Sequence, residues 1–135
     1  MIIGIGIHCI DIPSIQSALT REDKSFLFQV FTPDEQGYCF EQSKPELHLA
    51  ARYAAKEAVL KVLSLGEREG IKCTDIAIRT GPSGAPYLEL TGMALAYERS
   101  LMIRRWHLSL THTDHWAAAF VIAEGVEEYA PDYRD

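Results

Sequence analysis

No stretch of this chain approaches the roughly 18 consecutive apolar residues that a membrane-spanning helix requires. The first residues, Met1-Ile2-Ile3-Gly4-Ile5-Gly6-Ile7, carry no basic segment and no small-residue cleavage pattern, so a secretory leader is not expected. Cysteine is scarce. Cys9, Cys39 and Cys73 are odd in number and lack metal-ligand spacing, which points to reduced thiols and a cytoplasmic setting. Positive charge is also in short supply: 13 Lys and Arg stand against 19 Asp and Glu, for a net charge of -6. Without a basic stripe to release counterions, nucleic acid is a poor partner class. No internal repeat is evident, and 135 residues fit one domain with room for a real core.

What is present is 47% hydrophobic and 24% charged, the balance of a globular domain. Arg21, Lys24, Lys44, Arg52, Lys56 and Lys61 fall in the first half, and a local basic face there could meet an acidic protein. Residues 2–10 are rich in Ile and read as a buried first strand. Gly4 and Gly6 do not open a dinucleotide fingerprint, because Cys9 stands where its third Gly belongs. Close approach by a neighbouring element explains them better. Short helices are expected over Ser14–Leu19 and Lys24–Val30.

Thr32-Pro33-Asp34-Glu35 is a strong helix start, with a Thr cap, Pro in the first turn and Glu closing a capping box. The next helix opens at Ser43-Lys44-Pro45-Glu46 and runs to about Leu65, stopped by Gly66. It is the longest, and its alanines permit close packing on a sheet. Strands over Ile76–Arg79 and Tyr87–Leu90 flank the turn Gly81-Pro82-Ser83-Gly84-Ala85-Pro86. A short helix follows over Thr91–Ser100. Trp106 to Thr113 alternates, with Trp106, Leu108 and Leu110 on one face and His107, Ser109 and Thr111 on the other. Asp114 and His115 turn the chain into a return strand, Trp116–Ala123. The sum is an α+β fold of mostly antiparallel strands packed on one long helix. One domain is expected over residues 1–124, with an acidic tail over 125–135.

Chemistry concentrates in the run Ala54-Ala55-Lys56-Glu57-Ala58-Val59-Leu60-Lys61. Residues four apart share a helix face, so Glu57 and Lys61 can address one target. A carboxylate beside an ammonium suits a metal-bound diphosphate, the acid holding the cation and the amine meeting phosphate charge. An isolated surface ion pair is the bland alternative. His107, Ser109 and Thr111 offer a polar platform for phosphate or ribose, against the bland reading of a solvated sheet face. His112-Thr113-Asp114-His115 is a weak candidate for a metal cluster, because adjacent positions near a turn diverge and Asp has its own reason to sit there. Ser109 lacks the G-x-S-x-G elbow of a hydrolase nucleophile.

In order along the chain, Gly4-Ile5-Gly6-Ile7, Phe31-Thr32-Pro33-Asp34-Glu35, Ala51-Arg52-Tyr53-Ala54-Ala55-Lys56-Glu57-Ala58, Gly84-Ala85-Pro86 and Trp106-His107-Leu108-Ser109-Leu110-Thr111-His112-Thr113-Asp114 are set out as in one family. The chain resembles the holo-acyl-carrier-protein synthases, short bacterial 4'-phosphopantetheinyl transferases, over about residues 1–124. The resemblance implies transfer of 4'-phosphopantetheine from coenzyme A to a serine of apo acyl carrier protein, with release of 3',5'-ADP and Mg²⁺ as cofactor. It implies a homotrimer with coenzyme A at the subunit boundary. Glu57 and Lys61 would be catalytic, Glu57 as a metal ligand and Lys61 on the diphosphate. His107, with Lys44, would hold the 3'-phosphate. Gly84 and Pro86 would line the adenine, with Ser109 and Thr111 nearby, and Arg21, Lys24 and Arg52 would meet the carrier protein.

The chain departs from the family at position 8, where His8 replaces a metal-binding aspartate. With Glu57 it implies a weakened Mg²⁺ site or one for the softer Mn²⁺. Asp11 points to the other strand face and is no easy substitute. Ala85 stands for the Lys of a G-K-P turn, and Ser14 for a frequent Arg. A relative that binds coenzyme A or carrier protein without turnover is the alternative.

Overall fold

The computed structural model describes residues 1–21, 24–64 and 70–126. In chain order its elements are β1 (Ile2–Asp11), α1 (Ile12–Leu19), α2 (Ser25–Val30), α3 (Pro33–Phe40), α4 (Pro45–Ser64), β2 (Ile76–Thr80), β3 (Pro86–Leu90), α5 (Gly92–Ser100), β4 (Ile103–His112) and β5 (Trp116–Gly125). The expected stop of α4 at Gly66 and the acidic tail over 127–135 fall outside the described residues; Gly125 still belongs to β5.

Two antiparallel sheets flank α4. One has the order β1-β5-β4, and the other is the β2-β3 hairpin. Gly4 and Gly6 show why α4 can lie so close to β1. A Cβ at Gly4 would come within 2.9 Å of a Val62 methyl, and one at Gly6 would collide with the carbonyl of Ala58. Small residues on the helix complete the fit, with Ala50, Ala51, Ala54, Ala55 and Ala58 all buried. The opposite side of α4 packs on α3 and β2, so the helix is enclosed nearly all round. This explains its weak amphipathic pattern.

Enclosure buries a charge. Lys56 is 0% exposed and its Nζ donates to Glu35 Oε1 at 2.8 Å, to the Ile76 carbonyl at 2.7 Å and to the Cys73 carbonyl at 3.0 Å. Glu35 closes the capping box of α3 by accepting from the Thr32 amide at 2.8 Å, and its Oε2 accepts from the Ile78 amide at 2.8 Å. The ammonium thus uses all three donors and both carboxylate oxygens are bonded. Removal from water pushes the Lys56 amine below the ordinary lysine value, and the neighbouring carboxylate opposes that shift. Burial likewise raises the Cys39 thiol to about 11.

The expectation of a buried first strand is corrected. Gly4, Gly6 and His8 face α4, whereas Ile5 and Ile7 point away and are 56% and 60% exposed. Register places Ile7 opposite Phe120 and Ile5 opposite Ile122, with Ser109 and His107 completing those rows on β4. The alternation expected for β4 is present, and its polar side lies on this open face beside a band of Ile and aromatic side chains.

Candidate functional site

Lys61, on the last turn of α4, reaches the β1 edge. Its Nζ donates to the Ile7 carbonyl at 2.7 Å and lies 3.1 Å from His8 Nδ1. An ammonium has donors only, so Nδ1 must accept, and the imidazole proton then resides on Nε2. Tyr53, two turns earlier on α4, meets the His8 ring edge-on at a centroid separation of 6.0 Å. Glu57 is half-buried one turn before Lys61, on the same side of the helix. Lys61 and His8 thus meet where the end of α4 crosses β1, with Glu57 one turn earlier on the helix.

A second region lies toward the N-terminal end of α4. There a cleft of about 330 Å³ is lined by Tyr38, His48, Arg52, Gly84, Pro86, Ser109 and His112, with Ala51, Leu108 and Leu110 on its apolar wall. Arg52 is 4% exposed. That burial corrects its expected place on a carrier-facing surface. Its guanidinium lies over the Tyr38 ring at 4.5 Å and donates to the His48 carbonyl at 3.4 Å, while its buried Nε has no hydrogen-bond partner. His48 and His112 meet with ring centroids 5.2 Å apart. Desolvation, with His112 and Arg52 adding to it, lowers the His48 pKa. Residues on α4 nine positions apart, such as Arg52 and Lys61, are separated by about 14 Å along the axis, so the two regions are distinct in one chain.

The other expected residues divide between these regions and the surface. Gly84, Pro86 and Ser109 line the cleft. Lys44 is exposed and paired with Asp114 at 3.0 Å, and each raises or lowers the other's pKa in favour of the charged form. His107 lies on the open sheet face, 3.2 Å from Glu124, whose carboxyl the hydrogen bond holds below its usual range. Thr111 shares that face. Arg21 and Lys24 are exposed near α2, beside the exposed Phe28. Asp11 is committed elsewhere: its carboxylate caps α1, accepting from the Ser14 amide at 3.0 Å and the Ser14 hydroxyl at 2.7 Å.

His48, Tyr38 and His112 were missed as cleft residues, although His48 and Arg52 stand four apart on one helix face. That spacing was the available signal.

Mg²⁺ takes oxygen ligands in a near-octahedral shell. Glu57 offers a carboxylate here, but His8 Nδ1 already accepts from Lys61, and among the described residues no three His, Cys, Asp or Glu side chains are grouped to hold a metal ion. The residues present do not by themselves fit a protein-held Mg²⁺ site of three or more side chains.

The chain is an α+β fold of two antiparallel sheets around one buried helix that carries Glu57 and Lys61 one turn apart, beside a cleft lined by Arg52, His48 and His112. Residues 4–121 match the model of the 4'-phosphopantetheinyl transferase superfamily, and the chain belongs to that family, among its holo-[acyl-carrier-protein] synthases. It is 42% identical to the holo-[acyl-carrier-protein] synthase of Syntrophus aciditrophicus over 128 residues, covering 95% of this chain and all of that protein. The crystal structure of holo-[acyl-carrier-protein] synthase from Neisseria meningitidis matches with a TM-score of 0.80 and 31% identity over 92% of this chain and 99% of that one. The Helicobacter pylori enzyme in complex with coenzyme A matches at 0.77 and 26% identity over 90% and 100% of the two chains.

Proposed function

We propose that this enzyme, with residues 1–124 as its single transferase domain, moves 4'-phosphopantetheine from coenzyme A to a serine of apo acyl carrier protein. The serine oxygen attacks the phosphorus that carries pantetheine, the bond to the bridging oxygen breaks, and 3',5'-ADP leaves as the serine proton departs. Such a transfer needs charge neutralised and oxygens aligned rather than a covalent enzyme intermediate. The observation that carries the reading is the Lys61 ammonium, fixed by the Ile7 carbonyl and His8 and one helical turn from Glu57. Lys61 meets the diphosphate and stabilises charge on the leaving oxygen, and Glu57 accepts the serine proton directly or through water.

The cleft supports the nucleotide end. Gly84 and Pro86 give an adenine wall, Arg52 with an unpaired buried Nε suits an anionic phosphate, and Ser109 lines the same cleft, while Lys44, His107 and Thr111 lie outside it in one chain. Arg21 and Lys24 offer exposed positive charge to an acidic carrier helix. The action on soluble substrates agrees with a cytoplasmic enzyme, and no helix among the described residues is long and apolar enough to cross a membrane.

Mass spectrometry of apo carrier protein incubated with the enzyme and coenzyme A tests this directly. The expected result is a gain of one phosphopantetheine mass, dependent on Glu57. Tight binding of coenzyme A without that gain favours a non-catalytic relative instead.

The open sheet face supports assembly. Ile5, Ile7, Phe120 and Trp116 form an exposed apolar band that a single chain leaves in water. We assign it to a homotrimer contact that brings the cleft of one copy toward the Lys61 region of the next. Sedimentation is expected to give three times the 15.1 kDa chain mass, reduced to one in Ile7→Lys; a monomeric wild type removes this assignment.

A further inference from the structure

The geometry points to His8 as a positioning residue for Lys61 and against a divalent cation held by the free protein. The inference deepens the reading of the same site given above and rests on it for the meaning of Lys61, not for the metal.

One proton on the His8 ring separates the two roles. Lys61 Nζ is 2.7 Å from the Ile7 carbonyl oxygen and 3.1 Å from His8 Nδ1, and both contacts require the lysine to donate. A neutral imidazole that accepts at Nδ1 has its proton on Nε2, so neither ring nitrogen offers a free lone pair. Turning the tautomer over to free Nε2 would set an N–H of the ring against an N–H of the ammonium. Metal capture by His8 thus breaks the contact that holds Lys61, and the two roles exclude each other.

The backbone leaves little freedom to escape this. His8 is fixed by pairing with Ala119 in the interior of the β1–β5 ladder, and its ring packs edge-on against Tyr53. The carboxylate of Asp11, on the opposite face of β1, is spent on the N-terminus of α1. A hard divalent ion therefore meets too few oxygens here until a ligand brings its own. A diphosphate supplies such oxygens, so the ion that accompanies it binds as the nucleotide's companion rather than as a resident of the protein.

Manganese binding by the full chain without coenzyme A, read by electron paramagnetic resonance, tests the inference apart from any transfer activity. The wild type is expected to bind Mn²⁺ no more tightly than about 1 mM, and His8→Asp to bind at least about tenfold more tightly. Nitrogen-15 NMR of the wild type is expected to show His8 as the Nε2–H tautomer, unchanged on adding Mg²⁺ alone. Stoichiometric Mn²⁺ on the wild type with imidazole nitrogen coupling that disappears in His8→Gln overturns the proposal. So does the Nδ1–H tautomer, a result that needs no variant to fold. Loss of transfer activity with these metal results intact would instead fault the catalytic reading.

Discussion

Lys56→Met is expected to cost about 3–5 kcal/mol of stability, because it strands the Glu35 carboxylate in the core. Lys56 is fully buried, spans from α4 to α3 and to the segment leading into β2, and closes every donor on an acceptor. Its removal leaves Glu35 with only the Thr32 and Ile78 amides, and exposes two carbonyls to an apolar neighbour. Glu35→Met in the same background is expected to recover much of the loss, since the pair is worth less than its halves are costly. Chemical denaturation measures both, at fixed chain concentration so that any self-association contributes equally to each apparent stability. A single-variant loss below about 1 kcal/mol, the usual range for a solvated pair, would mean that the ion pair is not sealed from water.

Lys61→Ala is expected to lower the turnover number for phosphopantetheine transfer by about 10² to 10³, the cost of removing one preorganised donor from a site of developing charge. The side chain is exposed and its partners are a backbone carbonyl and an imidazole, so the fold should tolerate its loss. Lys61→Arg is expected to restore little, since a planar guanidinium cannot occupy the point between Ile7 and His8 that an ammonium fills. Transfer rates at saturating coenzyme A and carrier protein, with circular dichroism as a control, give the comparison. A turnover within threefold of wild type would move the catalytic centre away from this helix.

Local chemistry was readable wherever the cause lay within a few residues. The capping box at Thr32 and Glu35, the β2–β3 turn, the alternation of β4 and the helix-facing glycines of β1 all follow from spacing alone. Lys56 was not readable as a core residue. Its partner Glu35 is 21 positions away, and a Lys beside a Glu in an Ala-rich helix has the pattern of a solvated face. Arg52 was misplaced for the same reason, since only the folded chain brings Tyr38 beneath it. β1 was read as buried because Ile on every second position gives no sign of which partner covers it. His8 was weighed as a metal ligand because its sequence position suggested one, whereas its real neighbour comes from the end of α4, 53 residues on.

The exposed row of Ile5, Ile7 and Phe120 gives the molecule a poor tolerance of solitude. A copy whose row is uncovered presents that hydrocarbon to vessel walls, so recovery from dilute solution is expected to be poorer than from concentrated solution.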